Sequence, residues 1–276
     1  MAQALGKLLR VEGSPVACVA SRTMAHAGAA AVFIGPGVQP VSYSGLVGLA
    51  SRILIAVPDA AVSEVSDQIA KAGMKGGIAL HTCGTLGPDA LSALGKKGVS
   101  CGTLHPLQTV ADAQQGLRSL RGCAYVIDGE ERAIGWATQI VTLLSGEVLR
   151  IPKESRPLYH AAAVMASNYV VGLMDAAQQL MKMAGVDEKA AMGALAPLLR
   201  STVENILQNG PAQSLTGPIE RGDSSTVAAH QRALVAAPEQ IQDLYRAAGL
   251  QVLEIARKRG LPASAVSTIE KALRGD

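Results

Sequence analysis

Five short apolar runs divide the first half of the chain, and amphipathic segments separate them. The runs are apolar along their whole length rather than at alternate positions, which is typical of strands buried on both faces of a sheet. They are "PVACVAS" (15–21), "RILIAVP" (52–58), "GIALHT" (77–82), "VSCGTLH" (99–105) and "CAYVIDG" (123–129). Segments of helical periodicity lie between them, the clearest at 59–73 and 130–146. This alternation predicts a parallel α/β sheet whose strands are joined by crossover helices.

The second half has a different pattern, because strand signals cease after "GEVLRIP" (146–152). One long helix is predicted at 157–185, and its many Ala, Val, Met and Leu residues indicate that it is buried. Further helices are predicted at 187–209, 222–234, 238–260 and 262–274. We therefore expect an α/β domain at 1–152 and an all-helical domain at 153–276.

Composition narrows the class of protein. Hydrophobic residues make up 49% of the chain and aromatic residues only 3%, so the core must be built from aliphatic side chains. The net charge is +3 and the charges are scattered, which argues against nucleic acid as the main partner. No apolar run could span a bilayer, and the amino terminus lacks the architecture of a signal peptide. Four cysteines without a paired spacing fit a reducing compartment, so we expect a soluble cytoplasmic protein.

The residues that follow each strand are candidates for ligand binding, since open α/β sheets bind ligands beyond the carboxyl ends of their strands. The first run ends in Ser21-Arg22. In dinucleotide-binding sheets an acid at this point binds the ribose 2′-hydroxyl, whereas an arginine accommodates a 2′-phosphate. This pair therefore favours NADP over NAD, although Arg22 also suits a solvated residue that opens a helix. The next run ends at Val57-Pro58, whose backbone could form the floor of the same nucleotide site.

Two further strand ends carry histidines. His81-Thr82, with Gly84 close behind, ends one run, and His105-Pro106 ends another. The two histidines could face one cleft on the nucleotide side, or hydrogen bonds to nearby backbone could hold them. Together with two neighbouring cysteines they are also the ligand types that zinc prefers. Their spacing matches no known zinc motif, so we expect no metal.

The long predicted helix carries a polar face. His160, Ser167 and Asn168 follow helical spacing and are expected to share one side of the helix. Polar groups on a buried helix need partners. Packing, a dimer interface or a ligand could supply them.

Four segments occur in order over nearly the whole chain: "LHTCG" (80–84), "GTLHPLQT" (102–109), "YHAAAVMASNY" (159–169) and "LTGPIERGDSSTV" (215–227). Together they resemble a bacterial family in which a Rossmann-like domain precedes domain of unknown function 2520. That family is similar to 6-phosphogluconate dehydrogenase, ketopantoate reductase and pyrroline-5-carboxylate reductase. The resemblance implies an NAD(P)-binding first domain, a helical second domain and a homodimer. It implies no particular substrate.

The resemblance also raises an expectation about the first residues. Members of the family begin with a strand and a G-x-G-x-x-G/A loop that runs into a helix like "AQALGKLL" (2–9). Met1 falls where that loop ends. We therefore expect the sheet to lack its first strand and glycine loop, and this chain to bind a cofactor weakly or not at all.

Two functions remain open. The first is an NADP-dependent oxidoreductase, with NAD as a possible cofactor, that transfers hydride to a small carbonyl or imine substrate. By position and family analogy, Lys153 or His160 would supply the proton and Asn168 would orient the substrate. The second is a non-catalytic dimer that binds a nucleotide or metabolite without turnover. Large apolar faces on the C-terminal helices favour a homodimer in both cases.

Overall fold

The computed structural model describes residues 1–275, which fall into two compact units that meet in sequence between Ser167 and Asn168. The sequence placed the domain boundary at Pro152. Segment 153–167 therefore lies with the first unit rather than the second. The domain limits 1–152 and 153–276 stay a prediction.

Within residues 1–275, all the strands lie in the first unit. They are β1 (Cys18–Ala20), β2 (Gln39–Val41), β3 (Arg52–Ile55), β4 (Ile78–His81), β5 (Ser100–Pro106), β6 (Ala124–Gly129) and β7 (Glu147–Leu149). β3 to β7 form a five-stranded sheet in sequence order, and β1 pairs with β2 separately. Every pairing is parallel except that of β5 with β6. The predicted α/β class is confirmed. The antiparallel pairing of β5 with β6 differs from the parallel sheet that was predicted. The apolar runs do not reveal strand direction, because buried parallel and antiparallel strands are both apolar throughout.

Helices connect and follow these strands. In the first unit they are α1 (Ala2–Val11), α2 (Met24–Ile34), α3 (Val62–Lys71), α4 (Ser92–Gly95), α5 (Ala113–Ser119), α6 (Glu131–Leu143) and α7 (Arg156–Ala166). In the second unit they are α8 (Asn168–Met183), α9 (Glu188–Ser214), α10 (Ser224–Leu234), α11 (Glu239–Lys258) and α12 (Ala263–Arg274). Several begin at a side-chain cap. Thr23, Asp112, Asp187 and Asp223 accept backbone N–H bonds at the starts of α2, α5, α9 and α10. The helical second half is confirmed.

The five-stranded sheet has a core on each face. One core joins the sheet to α1, α5 and α6, and the other joins it to α3 and α4. Along β4, Leu80 packs into the first core and Ala79 into the second. Burial on both faces explains why the strand-forming runs are apolar at every position rather than at alternate ones.

The helix predicted over 157–185 is in fact two helices, α7 and α8. Ser167 separates them because its backbone leaves the helical conformation, with φ −126° and ψ −73°. Serine and asparagine side chains compete for backbone hydrogen bonds, which weakens a helix at adjacent Ser167 and Asn168. The prediction that His160, Ser167 and Asn168 share one helix face is therefore wrong.

The expected burial of this segment is also wrong for the single chain. Among the described residues, Arg156 is the only buried residue of α7 and Ala176 the only one of α8. Their apolar side chains are largely exposed. Separately, no helix among residues 1–275 combines the length and apolar character needed to cross a membrane.

Candidate active site at the carboxyl edge of the sheet

The carboxyl ends of β4 and β5 and the start of α7 build one polar cluster. β4 ends at His81, and β5 extends past it to His105 and Pro106, the latter buried. α7 brings Tyr159 and His160 to the same edge. Ligands of open α/β sheets bind at this edge. The structure therefore places several polar side chains where chemistry is expected.

His105, Tyr159 and His160 lie together. The His105 Nδ1 is 2.8 Å from the Tyr159 hydroxyl oxygen. The His105 and Tyr159 rings meet edge to face at 89°, with their centroids 5.6 Å apart. The His160 ring lies 6.5 Å from that of His105 and is tilted by 52°. We call these three residues the His-Tyr-His cluster.

Burial sets the charge of this cluster. Burial, together with the neighbouring His160, lowers the pKa of His105 to about 4. Burial also raises the pKa of Tyr159 to about 12. Both groups are consequently neutral near pH 7. Either His105 Nδ1 or the Tyr159 hydroxyl can be the donor of the hydrogen bond between them, because the donor depends on the histidine tautomer. A neutral pair of this kind can orient or polarise a bound group without a net charge of its own.

Gly84 fits tightly beneath the cluster. A Cβ atom at this position would lie 2.7 Å from His105 Nε2 and 3.0 Å from His160 Cδ2. Real Cβ contacts are essentially never as short as 2.7 Å, so any side chain would displace the His105 imidazole, and it would also crowd that of His160. Glycine here therefore permits the close approach of the 82–87 loop to both histidines.

The 82–87 loop is held by His81, which is fully buried. The Cys83 N–H donates to His81 Nδ1 at 3.2 Å, so the proton is on Nε2, which donates to the Gly87 carbonyl at 2.9 Å. Burial lowers the pKa of His81 as well. Both ring nitrogens are thus used by the loop. Thr82 begins the loop, and its N–H donates to the Ile55 carbonyl at 3.1 Å.

Arg156 joins the loop to the sheet from the first turn of α7. The residue is 3% exposed, and its guanidinium donates to the Leu86 carbonyl, the Thr103 hydroxyl and the Asp128 carboxylate at 3.0, 3.3 and 2.9 Å. Within residues 1–275 its Nε has no hydrogen-bond partner. Charged groups are buried only when they are paired and bonded in this way. Arg156 therefore fixes α7, and with it Tyr159 and His160, against the strands.

Lys153 lies at the rim of the site. Its ammonium pairs with the Asp89 carboxylate at 3.0 Å, and both side chains are largely exposed. The hydrogen bond from Lys153 lowers the pKa of Asp89. A cavity of about 440 Å³ lies beside this pair, lined by Thr85, Gly87, Lys153, Glu154, Arg156 and Pro157. A ligand that uses the Lys153 charge must compete with Asp89 for it.

The predicted nucleotide residues lie at the ends of β1 and β3. Ser21 and Arg22 follow β1 immediately and precede the Thr23 cap of α2, with Arg22 exposed. Val57 and Pro58 follow β3; Val57 is half-buried and Pro58 is exposed. These residues are therefore accessible at the carboxyl ends of their strands.

Asn168 is exposed and opens α8, in the second unit. Its assignment as a substrate-orienting residue stays a prediction. Sequence reasoning missed Arg156 and Tyr159. Tyr159 lies in the segment "YHAAAVMASNY" beside His160, so its position next to a candidate was a usable signal. Arg156 gave no signal, since an arginine before a proline at a helix start is usually solvated.

The class of protein follows from this architecture: a Rossmann-like α/β unit precedes a helical unit. Residues 1–106 match the model of Rossmann-like domains, and residues 123–252 match domain of unknown function 2520. The chain belongs to the family that joins these two domains, as its four quoted segments predicted.

Solved structures share this fold. A Thermotoga maritima protein is similar with a TM-score of 0.72 and 23% identity, over 92% of this chain and 97% of that one. A proposed NADP oxidoreductase from Bacteroides fragilis has a TM-score of 0.72 and 22% identity, over 92% and 94%. A reductive aminase from Aspergillus terreus, in complex with NADPH and ethyl-5-oxohexanoate, has a TM-score of 0.56 and 15% identity, over 100% and 89%. No curated protein matches the sequence.

Proposed function

We propose that this protein is an NADP-dependent oxidoreductase that transfers hydride to a small carbonyl or imine substrate. The observation that carries the proposal is the position of the His-Tyr-His cluster, at the sheet edge where ligands of this fold class bind. The fold neighbours support the class, because one is a proposed NADP oxidoreductase and another is a reductive aminase in complex with NADPH.

The residues at the end of β1 fit a nucleotide that carries a 2′-phosphate. Arg22 is exposed, and within residues 1–275 its guanidinium has no hydrogen-bond or ion-pair partner. Segment 13–58 contains no Asp or Glu that would repel a phosphate or bind a free ribose hydroxyl. Ser21 and Arg22 would hold the phosphate, and Val57 and Pro58 would border the nucleotide. The cofactor supplies the hydride when bound.

His160 is the candidate proton donor. It is partly exposed at the edge of the cluster, whereas the Lys153 ammonium is held by Asp89. Imidazoles serve this role near neutral pH. The neutral His105–Tyr159 pair beside it would orient the oxygen or nitrogen that receives the proton. Thr82, Gly84, His105 and Pro106 would form the wall between the nucleotide and this group.

A homodimer accompanies this proposal, and the second unit supplies its support. α9 spans 27 residues with a break at Gly210, whose φ is 76° and ψ 164°, and Ala191 is its single buried residue among those described. Large apolar side chains along α8 and α9 are exposed, including Val171 at 71%, Leu198 at 65% and Leu207 at 80%. Exposed apolar surface on this scale marks an interaction face. We expect a second copy of the chain to cover it.

The test begins with a fluorescence titration of the protein with NADPH and with NADH. Turnover is then measured by NADPH absorbance with a panel of small ketones, keto acids and cyclic imines. We expect tighter binding of NADPH and oxidation with at least one panel member. His160→Ala should lower turnover while leaving the NADPH Kd within about twofold, which separates chemistry from binding.

Binding of NADPH without oxidation by any panel member would favour the non-catalytic nucleotide-binding dimer. In that case His160→Ala and Lys153→Met would change neither binding nor dimerisation. Failure to bind either nucleotide would overturn the proposed function.

A further inference from the structure

Apart from the neighbouring histidines, two charged side chains act on His105 of the His-Tyr-His cluster, and only one of them has a counterion. Burial is the main cause of the lowered pKa of His105; Arg156 adds to it and Asp59 opposes it. The Arg156 guanidinium pairs with the Asp128 carboxylate at 2.9 Å. Asp59 lies just beyond β3 and forms no ion pair within residues 1–275. The charge left without a counterion beside the cluster is therefore negative.

Short contacts connect Asp59 to the cluster. The Thr85 hydroxyl donates to Asp59 Oδ2 at 3.2 Å. Gly84, the preceding residue of the 82–87 loop, lies against both histidines of the cluster. β3, β4 and β5 are also neighbouring parallel strands, so their carboxyl ends meet at one edge of the sheet. The Asp59 carboxylate is consequently held at the same edge as the two imidazoles.

Other groups near this carboxylate do not neutralise it. The Lys153 ammonium is paired with Asp89 at the rim of the site. Burial raises the pKa of the Cys83 thiol, and Asp59 acts in the same direction, so the thiol is uncharged near neutral pH. Asp59 itself is exposed. A bound molecule can therefore reach the carboxylate and supply the missing positive charge.

A fixed negative charge distinguishes between the substrates of a hydride transfer. Hydride addition to a ketone builds negative charge on the oxygen, which a nearby carboxylate opposes. A keto acid brings a negative charge of its own and is repelled. An imine that accepts a proton becomes an iminium cation, which the same carboxylate attracts. The local charge thus favours an imine over both classes of carbonyl compound.

We propose that Asp59 is a specificity-determining residue that selects cationic substrates, and that the substrate of this protein is an imine; the inference rests on the proposed function. His160 gives a proton to the imine nitrogen, and the imine carbon accepts hydride. The electron pair of the C=N π bond becomes the lone pair of the nitrogen, and the product is an amine. Asp59 stabilises the iminium cation that exists between proton transfer and hydride addition.

The first test compares two substrates of similar size with the full chain, the cyclic imine 2-methyl-1-pyrroline and the ketone cyclopentanone. Asp59→Asn removes the charge and keeps an acceptor for the Thr85 hydroxyl. We expect kcat/KM to fall at least about tenfold for the imine and to stay equal or rise for the ketone. Glu64→Gln is the matched control, since it removes an exposed carboxylate from the first turn of α3. It should change either value by no more than about twofold.

The second test needs no turnover. Calorimetry measures the binding of pyrrolidine, which is an ammonium ion at neutral pH, and of the uncharged cyclopentanol, each in the presence of NADP. We expect the wild type to bind pyrrolidine more tightly. Asp59→Asn should weaken pyrrolidine binding at least about tenfold and leave cyclopentanol binding unchanged.

The two tests separate this inference from the proposed function. Equal losses for imine and ketone in Asp59→Asn would refute selection by Asp59 and leave the oxidoreductase intact. A wild type that prefers cyclopentanone or a keto acid would do the same. If no substrate is reduced, the proposed function fails, and pyrrolidine binding alone decides the role of Asp59. Binding that depends on Asp59 supports a cation-selective site, and equal binding by the wild type and Asp59→Asn refutes it.

Discussion

The His105 Nδ1 lies 2.8 Å from the Tyr159 hydroxyl, and this bond links the end of β5 to the first turns of α7. The bond holds the His105 imidazole beside that of His160, because His160 follows Tyr159 on the same helix.

Tyr159→Phe should lower turnover about 10- to 100-fold while the NADPH Kd stays unchanged. The loss of the hydroxyl frees the His105 ring to turn, and a misplaced catalytic neighbour costs rate rather than binding. Tyr245→Phe is the matched control, because the Tyr245 hydroxyl bonds His230 Nδ1 at the same 2.8 Å in the second unit. Steady-state kinetics measures the turnover of both variants. Equal losses in the two variants would contradict a role for Tyr159 at the site.

Gly84→Ala should destabilise the protein by about 1–3 kcal/mol, the usual cost of overpacking. The added methyl would meet His105 and His160, so activity should fall with stability. Gly135→Ala is the control: it lies within α6 with nothing within 4 Å of its new methyl. Removing a helix glycine should leave stability equal or raise it by up to about 1 kcal/mol. Denaturant unfolding measures both, and an unaffected Gly84→Ala would show that the loop moves freely.

Stability should fall as the pH drops from about 6.5 towards 4. The pKa of His105 in the folded state is about 4, below its value of 6.5 in the unfolded chain. In this interval the unfolded state binds a proton that the folded state does not, so acid favours unfolding. His105→Gln removes that contribution and should flatten the slope. Burial lowers the pKa of His81 in the same direction, so part of the slope should remain.

The measurement compares unfolding midpoints near pH 7 and near pH 5 for the wild type and His105→Gln. His26→Gln, an exposed histidine in α2, serves as the control. If stability falls equally steeply with pH in His105→Gln and in His26→Gln, His105 is not the source of the pH dependence.

Arg22→Ala should reduce the preference for NADPH over NADH by at least about tenfold, which corresponds to about 1.4 kcal/mol. The guanidinium is the group expected to bind the 2′-phosphate, which NADH lacks. Binding of NADH should change little. Arg118→Ala, another exposed arginine of the first unit, should leave both affinities unchanged. Parallel losses of NADPH and NADH affinity in Arg22→Ala would contradict specific phosphate recognition.

Leu207→Glu should shift the protein from dimer to monomer in sedimentation velocity. Leu207 is 80% exposed on α9, and a carboxylate there would be buried in the expected interface. Gln208→Glu adds the same charge one residue along, at another exposed position. A dimer that survives both changes would place the interface elsewhere. A monomeric wild-type protein would refute the dimer altogether.

Much of this architecture follows from the sequence because buried strands and amphipathic helices have distinct periods. The runs at 52–58, 77–82 and 123–129 contain β3, β4 and β6, the run at 99–105 covers all of β5 but its last residue, and the helices at 222–234 and 262–274 match α10 and α12 closely. β2 was not predicted, since "QPV" contains a polar residue and a proline. A three-residue edge strand with so few apolar side chains leaves too little signal.

The site was predictable only in part. A sequence indicates where strands end, but it does not indicate which distant residues will contact the side chains at those ends. The edge position of His81 and His105 followed from their runs. Their different roles depend on Gly87 and Tyr159, which contact them across loops and helices. Arg156 is bonded to Asp128 and Thr103 over a sequence distance that no local pattern encodes. The break at Ser167 was hidden by the apolar residues on both sides of it.

The 82–87 loop has its backbone tied down at Thr82, Cys83, Leu86 and Gly87 before any ligand arrives. Most binding loops lose conformational entropy when they close, and that loss is subtracted from affinity. Here folding has already ordered the segment. A molecule that binds against it would keep nearly all of its contact free energy, and calorimetry should record a small entropic penalty. Discrimination between similar molecules would then depend on the shape of a rigid wall rather than on how well a loop adapts to each.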